Sequence, residues 1–264
     1  MDILLTNDDG IYAEGIQVMR KVLEEKRQGD NIWVVAPDRE RSASGHAITI
    51  HRPLHVDEVR FEGSRSRAWA VNGTPADCTK IAVEALMSKP PDLVISGINR
   101  GPNLGTDVFY SGTVSAAIEG ALIGIPSLAV SVAAFEHVSY ELSAEFINLL
   151  IEQLAEEKLP QNTLLNINVP ALEESEIAGV AVTRLGIRKW RDVFDRRIDP
   201  RGKVYYWLAG EATDTHNEPD SDVVAIKNNM ISITPIHLDL THHGLREKLA
   251  QLKFCLPSEV EREG

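Results

Sequence analysis

"ILLTNDDGI", residues 3–11, joins a short apolar run to a polar turn that carries two adjacent aspartates. The apolar run predicts a buried strand, and Asn7 and Gly10 favour a turn after it because both residue types tolerate positive φ. Asp8 and Asp9 have two interpretations at this point: turn residues that face water, or ligands of a metal ion. Two neighbouring carboxylates raise each other's pKa unless a positive charge compensates them. The turn alone does not decide between these interpretations.

Strands and helices alternate along the chain after this turn. Apolar residues recur at helical spacing from residue 16 and stop before Gly29, and residues 32–36 (IWVVA) form a continuous apolar run. Similar runs are DLVISG (92–97), SLAVSV (127–132) and LLNINV (164–169), and further helices are predicted from Thr74 and Pro75, in SGTVSAAIEGALIG (111–124) and from Tyr140 to about Glu157. This alternation is typical of a parallel sheet with helices on both faces, so we predict an α/β fold.

Polar residues occupy the loops that follow the predicted strands. Ligands of parallel sheets bind beyond the carboxyl ends of the strands, which is where Asp8 and Asp9 lie. The loop after the second strand, PDRERSASGHAITI (37–50), contains Ser42 and His46, and its composition alone indicates a flexible connection. The position of the aspartates at a strand end favours the metal interpretation.

The third loop, SGINRGPNLG (96–105), is followed by the start of a helix at YSGTV (110–114). Asn99 and Asn103 place two amides on either side of a tight turn. The free main-chain N–H groups at the helix start suit a phosphate. Two carboxylates, a loop hydroxyl and an amide oxygen together form a hard, all-oxygen ligand set that fits Mg²⁺ or Mn²⁺.

The composition limits the classes of partner. The net charge of the 264 residues is −12, which disfavours a nucleic-acid polymer or an anionic membrane as partner because both need a basic face. Cys78 and Cys255 do not form a close pair, so we expect neither a disulfide framework nor a cysteine-ligated zinc, and we expect a cytoplasmic protein. The sequence predicts no signal peptide and no membrane span.

Short β-like runs replace the alternation after Pro170. GVAVTRLG (179–186), GKVYYWLAG (202–210) and DVVAIKNNMISITPI (222–236) are separated by turn residues and predict hairpins. We expect a single domain with a core at 1–178 and, at 179–264, an arm with a last helix at Leu245 to Leu252. The apolar positions of the arm that need cover are Val204, Tyr206, Trp207, Val223 and Val224. An arm that contacts another subunit and a hairpin folded onto its own chain both remain open.

Five segments in chain order resemble the SurE survival-protein family of nucleotidases. They are ILLTNDDGIYAEGIQ, VVAPDRERSASG, NGTPADC, VISGINRGPNLGTDVFYSGTVSAAIEG and SITPIHLDLTHH, and they extend from residue 3 to about residue 243. The resemblance implies a Rossmann-like fold and a metal-dependent phosphatase that acts on nucleoside 5′- and 3′-monophosphates. Short-chain polyphosphate is a further substrate that the resemblance implies.

The resemblance also implies a ligand set for one divalent metal ion per subunit. Matched residue by residue, its ligands are Asp8, Asp9, Ser42 and Asn99. One difference from the family pattern is His46, which stands where we expect a small amide; we interpret it as an exposed residue with an open role.

Two further residues of the family pattern lie near the end of the matched region. In HLDLTHH (237–243), Asp239 and His243 match positions that the family associates with its active site. Without the resemblance this stretch would be interpreted as a turn at a strand end.

We therefore predict a phosphomonoesterase. In it, Asp8 or Asp9 orients or deprotonates the attacking water, and His243 protonates the leaving oxygen. The residues predicted to hold the phosphate are Asn103, Ser111, Gly112 and Thr113.

Two rival functions remain at this stage. One is a phosphatase that forms a covalent aspartyl-phosphate on Asp8, although such enzymes usually separate their aspartates by one residue. The other is a metal- or nucleotide-binding module without turnover. For the assembly we predict a homodimer or homotetramer formed through the arm.

Overall fold

The computed structural model describes residues 1–136, 138–154, 159–191, 194–213, 217–252 and 254. The strands in this part are β1 (Asp2–Thr6), β2 (Asn31–Pro37), β3 (Val56–Val59), β4 (Arg67–Val71), β5 (Leu93–Arg100), β6 (Ser127–Val132), β7 (Thr163–Val169), β8 (Gly179–Val182), β9 (Lys189–Arg191), β10 (Phe194–Ile198), β11 (Val204–Leu208), β12 (Glu211–Thr213) and β13 (Met230–His237). The α-helices are α1 (Glu14–Lys26), α2 (Pro75–Ile81), α3 (Gly112–Leu122), α4 (Glu141–Leu154), α5 (Asp222–Lys227) and α6 (His243–Leu249).

A nine-stranded sheet organises the molecule, with the strand order β3-β4-β2-β1-β5-β6-β7-β13-β8. The six strands from β4 to β7 in this order are parallel, while β3 and β13 pair antiparallel with β4 and β7. The chain moves outward from β1 to β2 on one side and later returns to β5 on the other side. The gap between the carboxyl ends of β1 and β5 is therefore the topological switch point, where doubly wound sheets bind ligands. The predicted Rossmann-like α/β fold is confirmed.

The alternation of side chains along β1 shows why both faces of the sheet are covered. Ile3 and Leu5 pack in one core with α1 and α4, whereas Leu4, on the opposite face, packs in a second core that contains Cys78 of α2. All five residues of β1 are buried. A strand buried on both faces needs a continuous apolar run, and this is the pattern of residues 3–5.

Residues beyond 178 contribute more to the core than the sequence pattern indicates. β8 and β13 join the main sheet, and Ile233 of β13 pairs with Ile167 of β7. The predicted division at residue 178 therefore does not coincide with the edge of the sheet. The reason is physical: β7 would otherwise expose an unpaired edge of main-chain N–H and C=O groups.

Two secondary-structure predictions in this region were wrong. Val223 and Val224 lie in α5 rather than in a strand, because Ser221 caps the helix by accepting the Val224 N–H. The last helix is α6, which begins and ends earlier than predicted. The end of the helix predicted to run to Glu157 lies outside the described residues.

The predicted hairpin arm is present as β10 and β11, which pair from Phe194 with Leu208 to Ile198 with Val204. All five side chains of β11 are exposed, and Trp207 retains 58% of its accessible surface. At its base, β9 and β12 pair antiparallel. Within the described residues, the apolar side chains of this hairpin remain exposed.

In the described part of the chain, no helix combines the length and the apolar character that crossing a membrane requires.

Candidate active site

The turn after β1 is formed by the side chain of Asn7. Its Nδ2 donates to the Gly10 carbonyl over 2.9 Å, and its Oδ1 accepts the Gly10 N–H over 3.2 Å. Gly10 has a φ of +103°, and a Cβ there would lie 3.2 Å from the main chain of Arg39. Glycine therefore lets the turn close against the loop after β2, and the turn holds Asp8 and Asp9 at the switch point.

Asp8 is buried against the start of α3. Thr113 Oγ1 donates to Asp8 Oδ1 over 2.5 Å, and a Cβ on Gly112 would lie only 2.7 Å from Asp8 Cβ. Burial raises the pKa of the Asp8 carboxyl to about 6, because the cost of desolvating the anion exceeds the stabilisation by the Thr113 hydrogen bond; the charge of Asp9 adds to the rise. A cation at this carboxylate would remove the cost of keeping it ionised.

Asp9 lies half-buried beside the end of β5. Its Oδ2 accepts the main-chain N–H of Arg100 over 3.2 Å. Burial raises the pKa of Asp9, the Arg100 N–H opposes this rise, and the nearby Glu40 carboxylate adds to it. Glu40 also raises the pKa of Asp8, so its charge acts on both aspartates.

The other two predicted ligands lie on segments that contact these aspartates: Ser42 on the loop after β2, and Asn99 near the end of β5. Arg41 donates its main-chain N–H to the Asp8 carbonyl over 2.7 Å, which places Ser42 next to the site. Ser42 Oγ donates to Glu40 Oε1 over 2.7 Å, so its hydroxyl oxygen keeps lone pairs for a cation. Asn99 Nδ2 donates to the Gly101 carbonyl over 2.8 Å, a bond that leaves its Oδ1 available.

This donor set fits a divalent cation that prefers oxygen. Among the described residues there is no group of three or more His, Cys, Asp and Glu side chains arranged for a metal, so any ligand set at this site must include neutral oxygens. Two carboxylates, one hydroxyl and one amide oxygen are typical ligands of Mg²⁺ or Mn²⁺. The carboxylates of Asp8 and Asp9, whose pKa values are raised by desolvation, would supply negative charge for such an ion.

The start of α3 offers main-chain donors next to Asp8. Ser111 caps the helix, and its Oγ accepts the Val114 N–H over 3.1 Å. The N–H groups of Gly112 and Thr113 are in the first turn and have no partner within the helix. Of the predicted phosphate residues, these two therefore present main-chain donors, while the Ser111 side chain also serves as a cap and the Thr113 side chain holds Asp8.

Asn103 lies at the same edge of the sheet, in a buried amide network over the ends of β6 and β7. Its Nδ2 donates to Ser131 Oγ over 2.8 Å, and its main-chain N–H donates to Asn168 Oδ1 over 2.8 Å. The Asn103 carbonyl accepts from both Asn166 and Asn168. One amide hydrogen of Asn103 remains for a substrate oxygen.

Asp239 and His243 lie at the opposite edge of the sheet within one chain. β13 runs antiparallel to β7 and ends where His237 pairs with Thr163, the first residue of β7. That edge is about 20 Å from the carboxyl ends, the length of a seven-residue strand. His243 Nε2 and Asp239 Oδ2 are 2.7 Å apart, and hydrogen bonds from Thr241, together with His243, hold the pKa of Asp239 well below its usual range. A single chain does not bring this pair to Asp8 and Asp9.

His46 contacts neither aspartate. Its Nε2 lies 2.9 Å from Oε2 of the buried Glu119 on α3, which Lys80 also approaches. The loop that carries Ser42 is thereby connected to α3.

Asp222 is a buried residue that the sequence analysis did not identify. Its carboxylate accepts three main-chain N–H groups, each over 2.8 Å, from Gly105, Gly186 and Val223. Burial raises the pKa of Asp222, and these three hydrogen bonds oppose the rise. It ties the loop after β5, which leads into α3, to the base of the arm. A serine followed by an aspartate before a helical run is a signal for a helix start that identifies the element, though not its contacts.

Three features define the class of protein. They are the sheet order, the paired aspartates at the switch point, and the helix start beside them with its free N–H groups. This is a Rossmann-like α/β protein with a site suited to a divalent cation and a phosphoryl group. The model of the survival protein SurE family matches residues 3–192. The chain belongs to this family, and the resemblance seen in the sequence is confirmed.

Similar proteins agree with this membership over nearly the whole chain. A protein named 5′-nucleotidase SurE from Carboxydothermus hydrogenoformans is 55% identical over 250 residues, which are 94% of each chain. A protein of the same name from Pelotomaculum thermopropionicum is 54% identical and covers 96% of this chain and 95% of its own. The crystal structure of the SurE protein from Aquifex aeolicus has a TM-score of 0.81 at 40% identity and covers 94% of this chain and 98% of that chain.

Proposed function

We propose that the chain is a metal-dependent 5′-nucleotidase, a phosphomonoesterase that converts nucleoside 5′-monophosphates to nucleoside and phosphate. The observation that carries the proposal is the Asp8–Asp9 pair packed against the start of α3, because it combines a cation site with main-chain donors for an anion. Relatives named 5′-nucleotidase at 52–55% identity support the same reaction. Nucleoside 3′-monophosphates and short-chain polyphosphate are further substrates in the proposal.

The proposed metal ligands are Asp8, Asp9, Ser42 and Asn99, with one Mg²⁺ or Mn²⁺ per subunit. A divalent ion held there supplies Lewis acidity to the ester that is hydrolysed. Thr113 fixes the orientation of Asp8 through their hydrogen bond, and the Arg100 N–H fixes Asp9. The half-buried Asp9 is the better candidate to accept a proton from the attacking water, because Asp8 is enclosed by α3.

The proposed phosphate site uses the first N–H groups of α3 at Gly112 and Thr113, with Ser111 and the remaining amide hydrogen of Asn103. These donors are held by the cap and by the amide network before substrate arrives, so little reorganisation is needed on binding.

The proposed assembly is a homodimer or homotetramer through the arm. Its support is the exposed apolar surface of β10 and β11 and the position of Asp239 and His243 at the far edge of the sheet. From that edge, His243 reaches an active site only in another subunit, where it would protonate the leaving oxygen. The buried free thiol of Cys78 is compatible with the reducing cytoplasm, where we propose that the enzyme acts.

Phosphate release from AMP tests the reaction. We expect turnover with added Mn²⁺ and none after EDTA, and a panel of nucleotides assayed with Mg²⁺, Mn²⁺, Co²⁺ and Zn²⁺ would rank bases and metals. Nucleotide binding without phosphate release would instead support the rival binding module.

A covalent aspartyl-phosphate on Asp8 is disfavoured by the spacing of the aspartates, because phosphatases of that kind usually separate them by one residue whereas Asp8 and Asp9 are adjacent. Acid-quenched protein that retained ³²P from labelled substrate would support the covalent rival.

A further inference from the structure

A cavity of about 330 Å³ opens beside Asp9, within the size range of small-molecule sites. It is bordered by the start of α1 and the segment before α4, on the face of the sheet opposite α3. Its lining includes Asp9, Glu14, Glu40, Arg100, Phe135 and Tyr140. These residues follow the carboxyl ends of β1, β2, β5 and β6, so the cavity lies at the switch point and shares Asp9 with the candidate metal site.

Phe135 gives this cavity an aromatic surface. A Cβ on Gly101 would lie 2.3 Å from the Phe135 ring, so the ring packs directly on the main chain at the end of β5. The side chain nevertheless retains 69% of its accessible surface. A large aromatic ring supported on one side and open to water on the other is a stacking surface for a nucleobase.

The polar side chains around the ring suit the rest of a nucleoside. Glu14 and Glu40 are hydrogen-bond acceptors, which ribose hydroxyls require, and carboxylates at switch points bind ribose in this way. Arg100 adds donors for base edges, and its charge also acts on Asp9, whose pKa it lowers.

We propose that this cavity binds the nucleoside part of the substrate, with the base stacked on Phe135 and the ribose hydroxyls donating to Glu14 or Glu40. The inference rests on the proposed nucleotidase function and adds a basis for nucleotide selectivity. Asp8 contacts α3 on one side and Asp9 lines the cavity on the other. A nucleotide therefore spans the aspartate pair, with its phosphate at α3 and its nucleoside in the cavity.

Tyr110 provides a matched control because it is an equally exposed aromatic residue, at 70%, next to the start of α3. The experiment measures kcat/KM for AMP and for ribose 5-phosphate, which lacks a base, with Mn²⁺ in the wild type, Phe135→Ala and Tyr110→Ala. Equilibrium binding of adenosine, measured by calorimetry on the same Mn²⁺-loaded proteins, gives a readout without turnover.

We expect the wild type to prefer AMP over ribose 5-phosphate. Phe135→Ala should lower this preference at least about five-fold and weaken adenosine binding by a similar factor, the scale of one lost base–aromatic stack. Tyr110→Ala should keep the wild-type preference for AMP and the wild-type affinity for adenosine. An unchanged preference in Phe135→Ala, or a loss in Tyr110→Ala instead, overturns the proposal.

Failure of the proposed function gives a different result. If the wild type hydrolyses neither ester, the nucleotidase proposal fails. Adenosine binding then tests the nucleoside cavity by itself. Absence of binding to the wild type, or equal binding to the wild type and Phe135→Ala, overturns the cavity proposal. If the wild type hydrolyses both esters equally well, the phosphatase stands and the nucleoside cavity is wrong.

Discussion

Asp8 is the residue whose environment most clearly favours a bound cation. Burial raises its pKa to about 6, whereas the unfolded chain keeps an ordinary carboxyl pKa. In the metal-free protein this carboxyl therefore binds its proton more tightly when folded. The free energy of unfolding should decrease as pH rises from about 4 to about 6, because the folded state must then hold an unpaired buried anion.

The first prediction concerns metal affinity and pH. Because a metal needs ionised Asp8, the affinity for Mn²⁺ should be constant above pH 7 and fall about tenfold per unit below pH 6. Thr113→Val removes a hydrogen bond that lowers the pKa of Asp8, so the fall should begin at higher pH. Calorimetry at a series of pH values measures both. Equal affinities at pH 7.5 and 5 would contradict the assignment of Asp8.

The second prediction concerns Asp9. Asp9→Asn keeps the shape and removes one charge, so Mn²⁺ binding should weaken and phosphatase activity should be nearly abolished. Because burial raises the pKa of Asp9, its loss should leave the metal-free melting temperature unchanged or higher. Added Mn²⁺ should raise the melting temperature of the wild type and of the exposed-site control Asp57→Asn, but not of Asp9→Asn. An undiminished shift in Asp9→Asn would remove it from the ligand set.

Among the secondary-structure elements, α3 is decisive because its first residue touches Asp8. The third prediction is that Gly112→Ala lowers kcat/KM by tenfold or more, since its Cβ would lie 2.7 Å from Asp8 Cβ and would displace the carboxylate. Gly29→Ala is the control, because a Cβ there meets no atom within 4 Å. Full activity in Gly112→Ala would show that α3 does not set the position of Asp8.

The fourth prediction concerns the loop that leads into α3. Asp222→Asn turns an acceptor oxygen into a donor, so at least one of the N–H groups of Gly105, Gly186 and Val223 loses its partner. We expect a lower melting temperature and a several-fold fall in kcat/KM with unchanged Mn²⁺ affinity. Asp220→Asn, which alters an exposed ion pair with Arg184, is the matched control. Equal effects of Asp222→Asn and Asp220→Asn on melting temperature and kcat/KM would contradict a positioning role for Asp222.

At the scale of the whole molecule, the β10–β11 hairpin is exposed in the part of the chain that the structure describes, and this exposure is the basis of the fifth prediction. Light scattering should give at least twice 29.1 kDa at micromolar concentration. Arg191 and Glu211 pair across the base of the arm, so a short glycine linker can replace residues 192–210 without separating β9 from β12. The shortened protein should have a lower mass and lower activity. A fully active monomer would contradict a role of the hairpin in assembly.

Mixed assemblies test whether the active site is shared between subunits. Asp9→Asn and His243→Ala should each be inactive alone. Mixed in equal amounts and reassembled, they should recover about a quarter of wild-type activity, because only a subunit with its own Asp9 and a neighbour's His243 is complete. No recovery would place His243 outside the site of a neighbouring subunit.

The sequence by itself determined the local features of the fold, which depend on residues close together in the chain. The apolar run at 3–5 specified a strand buried on both faces, Asn7 and Gly10 specified the turn, and Ser111 specified the start of α3. These features follow from periodicity, turn chemistry and capping, which act over a few residues. Together with the position of the aspartates at a strand end and the resemblance to the family, they predicted a metal site at the aspartate pair.

Only the tertiary structure decided which distant residues meet. Thr113 reaches Asp8 across 105 positions, and Asp222 reaches Gly105 across 117. No local pattern encodes such contacts, because they depend on the order of strands in the sheet. The same order puts β13 antiparallel beside β7, which carries Asp239 to the edge opposite Asp8 in its own chain. A short run that reads as a strand gives no information about its neighbours or its direction, since those follow from the packing of the whole sheet.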